Sequence, residues 1–97
     1  MNPFDEQCDM RALLQAARRG DEQALACLLE PHWCTLKLFC GLMLGDADAA
    51  QQALTETARA ARSEVAAVES VVAVRMWIHR IAARVCVQAI ARRPNRG

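Results

Sequence analysis

Apolar residues in the last third of the chain, Val71, Val74, Ile78, Ile81, Val85 and Ala89, recur at three- and four-residue steps. They therefore share one face of a helix, the face expected to be buried. Arg80, Arg84 and Arg92 follow one another at multiples of four along another side, and Trp77 falls at the seam between the two. Upstream, Leu13, Leu14 and Ala17 place a first helix over about Met10 to Arg19, ended by Gly20 in the position that favours a left-handed cap. Asp21 then caps a second helix whose apolar side is Leu25, Leu28 and Leu29. Pro31 lacks an N–H and clashes with a preceding helical turn, so a break or kink is expected there before the helix restarts and runs to Leu44.

Trp33, Leu36, Phe39, Cys40, Leu42 and Met43 make that restarted stretch the most hydrophobic in the chain and the expected centre of the core. Gly45 stops it, and Asp46 or Asp48 opens a third helix reaching about Ala66. Between Asp48 and Ala61 the only large apolar side chain is Leu54, which leaves a polar surface of Gln51, Gln52, Thr55, Arg59 and Arg62. The period falters from Ser63 to Ser70, predicting a short loop, with Ser70 as N-cap of the basic fourth helix. The expected fold is all-α, a compact three- or four-helix bundle over residues 10–93. A loose lead (1–9) precedes it, and Pro94-Asn95-Arg96-Gly97 looks like the opening of a linker or tail.

Composition agrees. A chain of 97 residues at 54% hydrophobic content holds one small core, and the lack of Tyr with few Phe and Trp favours helices. With no run of 18 apolar residues and no basic-then-apolar leader, a cytoplasmic protein without a membrane span is expected. Charge adds a division: residues 1–69 carry all 11 acidic side chains and 6 basic ones, whereas residues 70–97 carry 6 basic and no acidic ones. The total of +1 therefore hides a dipole that suggests a polyanion at the basic end and a different partner at the other.

Candidate chemistry is sparse. The five cysteines form no CxxC pair and are odd in number, which reads as reduced, buried small hydrophobes. The sharper alternative is a metal or redox site at His32, Cys34 and Cys40, whose spacing matches no common zinc site. No nucleophile with its base, Gly-rich phosphate loop or carboxylate pair is present, so neither an enzyme, a cofactor nor a small-molecule substrate is expected. His32 reads as a core-edge residue and His79 as a surface one.

Four stretches in order resemble one family. Ala16-Ala17-Arg18-Arg19-Gly20-Asp21-Glu22-Gln23-Ala24-Leu25, followed by Leu28 and His32, is similar to the opening of region 2 in extracytoplasmic-function sigma factors of bacterial RNA polymerase. Gly45-Asp46-Ala47-Asp48-Ala49 looks like the start of that family's third helix, and Arg59-Ala60-Ala61 stands where the family usually has Arg-Ala-Trp. Arg75-Met76-Trp77-Ile78-His79-Arg80-Ile81-Ala82 resembles its Arg-Thr-Trp-Leu-Tyr-Arg-Ile-Ala, with Arg92-Arg93 as its closing arginines. The likeness spans about Leu13 to Arg93.

The resemblance implies a transcription initiation domain that binds core polymerase at the clamp helices of its largest subunit and contacts and melts the −10 promoter element on the non-template single strand. An anti-sigma factor is a further implied partner. Carried over by position, the polymerase-binding residues would be Asp48, Gln51, Gln52, Thr55, Arg59 and Arg62. The DNA-binding ones would be Arg75, His79, Arg80, Arg84, Arg92 and Arg93, with Ser63, Glu64, Glu69 and Ser70 from the loop. Departures are equally specific: three carboxylates usual on the third helix are Ala50, Gln51 and Thr55 here, and the family's second domain, region 4, has no room in 97 residues. The alternative is a helical interaction or regulatory module, dimeric in one version, that keeps the fold without promoter recognition.

Overall fold

In a computed structural model the backbone is described for residues 3–93, and side chains from Met10 onward. The described residues form α1 (Pro3–Arg18), α2 (Glu22–Leu29), a 3-10 turn (Glu30–His32), α3 (Trp33–Leu44), α4 (Ala47–Glu64), a second 3-10 turn (Val65–Ala67) and α5 (Val71–Ala91). No strand occurs among them, so the all-α expectation holds. Because α2, the 3-10 turn and α3 follow without a gap, they act as one bent unit and the bundle has four helical units.

The turns are made where the sequence supplies them. Gly20 and Gly45 both take positive φ, +101° and +68°, a region costly for any residue with a Cβ. Asp21 follows the first as N-cap of α2, its carboxylate accepting from the Ala24 N–H at 3.1 Å. After Gly45, Asp46 and not Asp48 is the N-cap of α4; its carboxylate accepts from the Asp48 N–H at 3.3 Å. Pro31 sits within the first 3-10 turn, where its missing N–H leaves no helical bond unmade.

Several boundaries differ from expectation. The first helix begins at Pro3, not Met10, so most of the lead assigned to residues 1–9 is helical; proline at a first helical position forfeits only an N–H that has no partner there anyway. It ends at Arg18, one residue before the expected Arg19. Helix α4 ends at Glu64 rather than near Ala66, so Ser63 and Glu64 belong to its last turn, and the loop proper is shortened. Val65 and Val68, both buried, pin that loop to the core. Ser70 takes the extended N-cap conformation, but its side chain makes no capping hydrogen bond. The tail assigned to residues 94–97 lies outside the described residues.

The core gathers Leu14 and Ala17 of α1, Leu25, Leu28 and Leu29 of α2, Leu36, Cys40 and Leu44 of α3, Ala50, Ala53 and Ala61 of α4, and Val74, Ile78, Ile81, Ala82, Val85 and Cys86 of α5. The expected apolar face of α5 is thus present, widened by Ala82 and Cys86. Within α3, however, only the Leu36, Cys40, Leu44 line is fully buried. Trp33 and Phe39 are half-buried, while Leu42 is 78% exposed and Met43 is also exposed, so α3 is a wall of the core and not its centre. Alanines let α4 lie close to its neighbours. Thr57, the one buried polar residue among those described, returns its hydroxyl to the Ala53 carbonyl at 2.7 Å, which leaves no buried side-chain oxygen or nitrogen unsatisfied among the described residues.

Helices α3 and α5 run side by side in the same direction. Arg93, at the end of α5, donates to the Leu44 carbonyl at the end of α3, the buried Cys86 of α5 neighbours Cys40 of α3, and His79 faces His32 at the start. Helix α4 runs back against both. At the opposite end of the bundle, Arg18 of α1 donates to the Ala66 carbonyl, tying the first hairpin to the loop before α5.

Candidate nucleic-acid and protein interface

On α4, Asp48, Gln51, Gln52, Thr55, Arg59 and Arg62 are all exposed and recur at three- and four-residue steps, so the structure collects them on a single outward face. That face is about 21 Å long at the helical rise of ~1.5 Å per residue. Its charges are partly engaged within the chain: Arg59 pairs with Glu56 at 3.1 Å and Arg62 reaches Glu22 of α2 at 2.9 Å. The Thr55 hydroxyl donates to the Gln51 carbonyl one turn back. Ala50, one of the three positions where the family carries a carboxylate, is buried here; alanine suits it, and it is not part of the surface.

A groove lies on each side of this ridge. Between α4 and α5, Gln52, Thr55 and Glu56 face Arg92 and Arg93 across a floor of small apolar residues, so the two candidate sets meet in one depression. Between α3 and α4, Gln51 and Thr55 share a groove with Trp33, Lys37 and Leu54. The part played by Trp33 and Lys37 was not legible in sequence, because the pairing of α3 with α4 decides which flank of each helix faces the other.

The arginines of α5 divide by what they touch. Arg84 is bound to Glu64 at the end of α4, so both members of that pair, separately assigned to nucleic acid, are spent on each other. Arg92 donates to the Gln88 carbonyl one turn back, and Arg93 caps α3. Among the described residues neither Arg75 nor Arg80 has a carboxylate within ion-pair distance; the one polar contact of Arg80 is with the Met76 sulfur, at 3.6 Å. Glu69 and Ser70 are exposed just before α5 and the buried Val68 holds them in place. Trp77 is half-buried against the core, which makes it a packing residue first.

His32, Cys34 and Cys40 do not converge. Cys40 points into the core against Cys86, where burial first, and then that neighbour, push its thiol up to about 12. Cys34 is exposed on the α3–α4 groove, and His32 faces α5. The Cys40 thiol is a small hydrophobe in this setting and inert as a nucleophile.

His32 lies below its ordinary value of 6.5, chiefly through burial and then through the positive charges of His79 and Arg75. The folded state therefore binds this proton less readily than the unfolded chain, and the unfolded chain takes it up first as pH falls. Stability is complete above about 6.5 and declines as pH drops below it. Urea melts at pH 7.5 and pH 5.5 should show this loss, and His32→Gln should flatten it.

Comparison with protein-family models, with curated proteins and with solved structures returns no match to this chain. Among the described residues no helix is long and apolar enough to cross a membrane.

Proposed function

We propose that the chain is a non-enzymatic transcription initiation domain, akin to region 2 of a sigma factor, which joins core RNA polymerase to the −10 element of promoter DNA. The observation that carries this reading is a pair of exposed surfaces on one bundle: a polar ridge on α4 and, on α5, Arg75 and Arg80 without an acidic partner among the described residues. The ridge would take the polymerase clamp helices. Arg75 and Arg80 would take phosphates of the non-template strand, and the exposed Glu69 and Ser70 would lie beside its bases.

This division assigns unequal roles to residues that look alike in sequence. Arg80→Ala should weaken single-stranded DNA binding at every sequence and reduce the slope of log affinity against log salt by about 0.7. Arg84→Ala should change that slope much less, since Glu64 already neutralises it. A salt titration of both variants by fluorescence anisotropy tests the reading; equal slopes for wild type and Arg80→Ala would contradict it.

The second reading, a protein-interaction module, is favoured by a different observation: large apolar side chains left uncovered along α3 and α5.

A further inference from the structure

Most of the exposed large apolar residues among those described lie on or beside one line. On α5, Val72, Met76, Val87 and Ile90 recur with Ala83 at three-, four- and seven-residue steps, which places them in a single stripe about 27 Å long at the helical rise. Val72 is 90% exposed, Met76 63% and Val87 57%. Because α3 and α5 run together, with Leu44 at Arg93 and Cys40 at Cys86, Val87 and Ile90 come level with Leu42 and Met43 of α3, and these extend the stripe sideways. None of these side chains is needed to fill the core, which is closed beneath them by Cys40, Ala82 and Cys86, each at 0% exposure. An uncovered apolar area of this extent marks an interaction surface more often than chance exposure.

The charges beside the stripe select its occupant. Arg80 lies on the adjacent side of α5, with Arg84 beyond it already paired to Glu64 of α4; Arg75 lies near the start of the stripe and Arg93 at its end, and residues 70–97 contain no acidic side chain. A second copy of the chain, laid along α5 in either direction, would bring arginine to arginine along this helix, a like-charge contact that disfavours self-pairing. A narrow stripe as long as a five-turn helix, bordered by cations, is complementary to a helix with one apolar face and acidic flanks. We propose that this face of α5 and α3 docks an acidic amphipathic helix of a partner protein. The proposal does not rest on the polymerase reading, because it does not use the α4 ridge, but it shares Arg75 and Arg80 with the promoter-strand surface.

The test uses the full chain and a fluorescein-labelled 18-residue peptide with leucines along one helical face and glutamates flanking them, beside a second peptide with lysine at each glutamate. The glutamate peptide should bind at least tenfold more tightly than the lysine peptide. Val72→Gln with Val87→Gln should lose at least tenfold in that binding while the helical circular dichroism and melting temperature stay as in wild type, both positions being more than half exposed. Equal binding of the two peptides, binding of neither, or binding unaffected by the two glutamines overturns the proposal. So does a chain that instead binds vesicles of equal phosphatidylglycerol and phosphatidylcholine, or one that sediments as a dimer dissolved by Val87→Gln.

Discussion

Replacing Ile78 with alanine should destabilise the protein by about 3 kcal/mol, because its side chain is fully buried and the loss combines transfer free energy with a residual cavity. For a domain of this size that is on the order of 15 °C in melting temperature, and a large part of the total stability. The position explains the size: Ile78 belongs to the buried line of Val74, Ile81 and Val85 on α5, the longest helix and one packed against both α3 and α4. Its neighbour provides the control. Trp77 is only half-buried, so Trp77→Ala should cost less, about 2 kcal/mol by the apolar area it hides, and DNA affinity of the folded protein should be unchanged. Paired urea melts and single-strand titrations check both. A Trp77→Ala protein that melts like wild type but loses DNA would assign that ring to base stacking instead.

Gln52→Arg combined with Thr55→Arg should reduce affinity for core polymerase at least a hundredfold. Both residues are exposed at the crest of α4, Thr55 borders the grooves on both sides of it, and Gln52 lies across one groove from Arg92 and Arg93. Two added cations would make the whole depression positive and deny a facing helix any close approach there. The helix itself should tolerate the change, since neither side chain packs in the core and arginine is a good helix former. Pull-down with purified core polymerase, alongside circular dichroism of the variant, is the check; undiminished capture would remove the α4 ridge from the account.

Much of the fold was legible because local chemistry and global packing agree. Gly20-Asp21 and Gly45-Asp46 each supply a left-handed stop followed at once by an N-cap, and the three- and four-residue period of α5 finds its buried face directly. What failed depended on helix pairing. Leu38 and Leu42 are one turn apart but off the Leu36, Cys40, Leu44 line, and only the placement of α5 and α4 decides that they stay outside. The density of apolar residues along α3 was therefore a poor guide to how central that helix is. For the candidate site, the α4 face was readable from its spacing, whereas the engagement of Arg84 with Glu64 and of Arg93 with the α3 terminus joins residues far apart in sequence. A charge count cannot distinguish an arginine already paired from one that still seeks a phosphate.

The central claim is that this one bundle holds polymerase and promoter strand together. It is tested most directly by adding the chain to core polymerase and a single-stranded oligonucleotide pool randomised over six positions, then sequencing what the polymerase retains. The account predicts that a defined six-base sequence is enriched only when the chain is present, and that Gln52→Arg with Thr55→Arg abolishes the enrichment. Retention of the same sequences with and without the chain would contradict it.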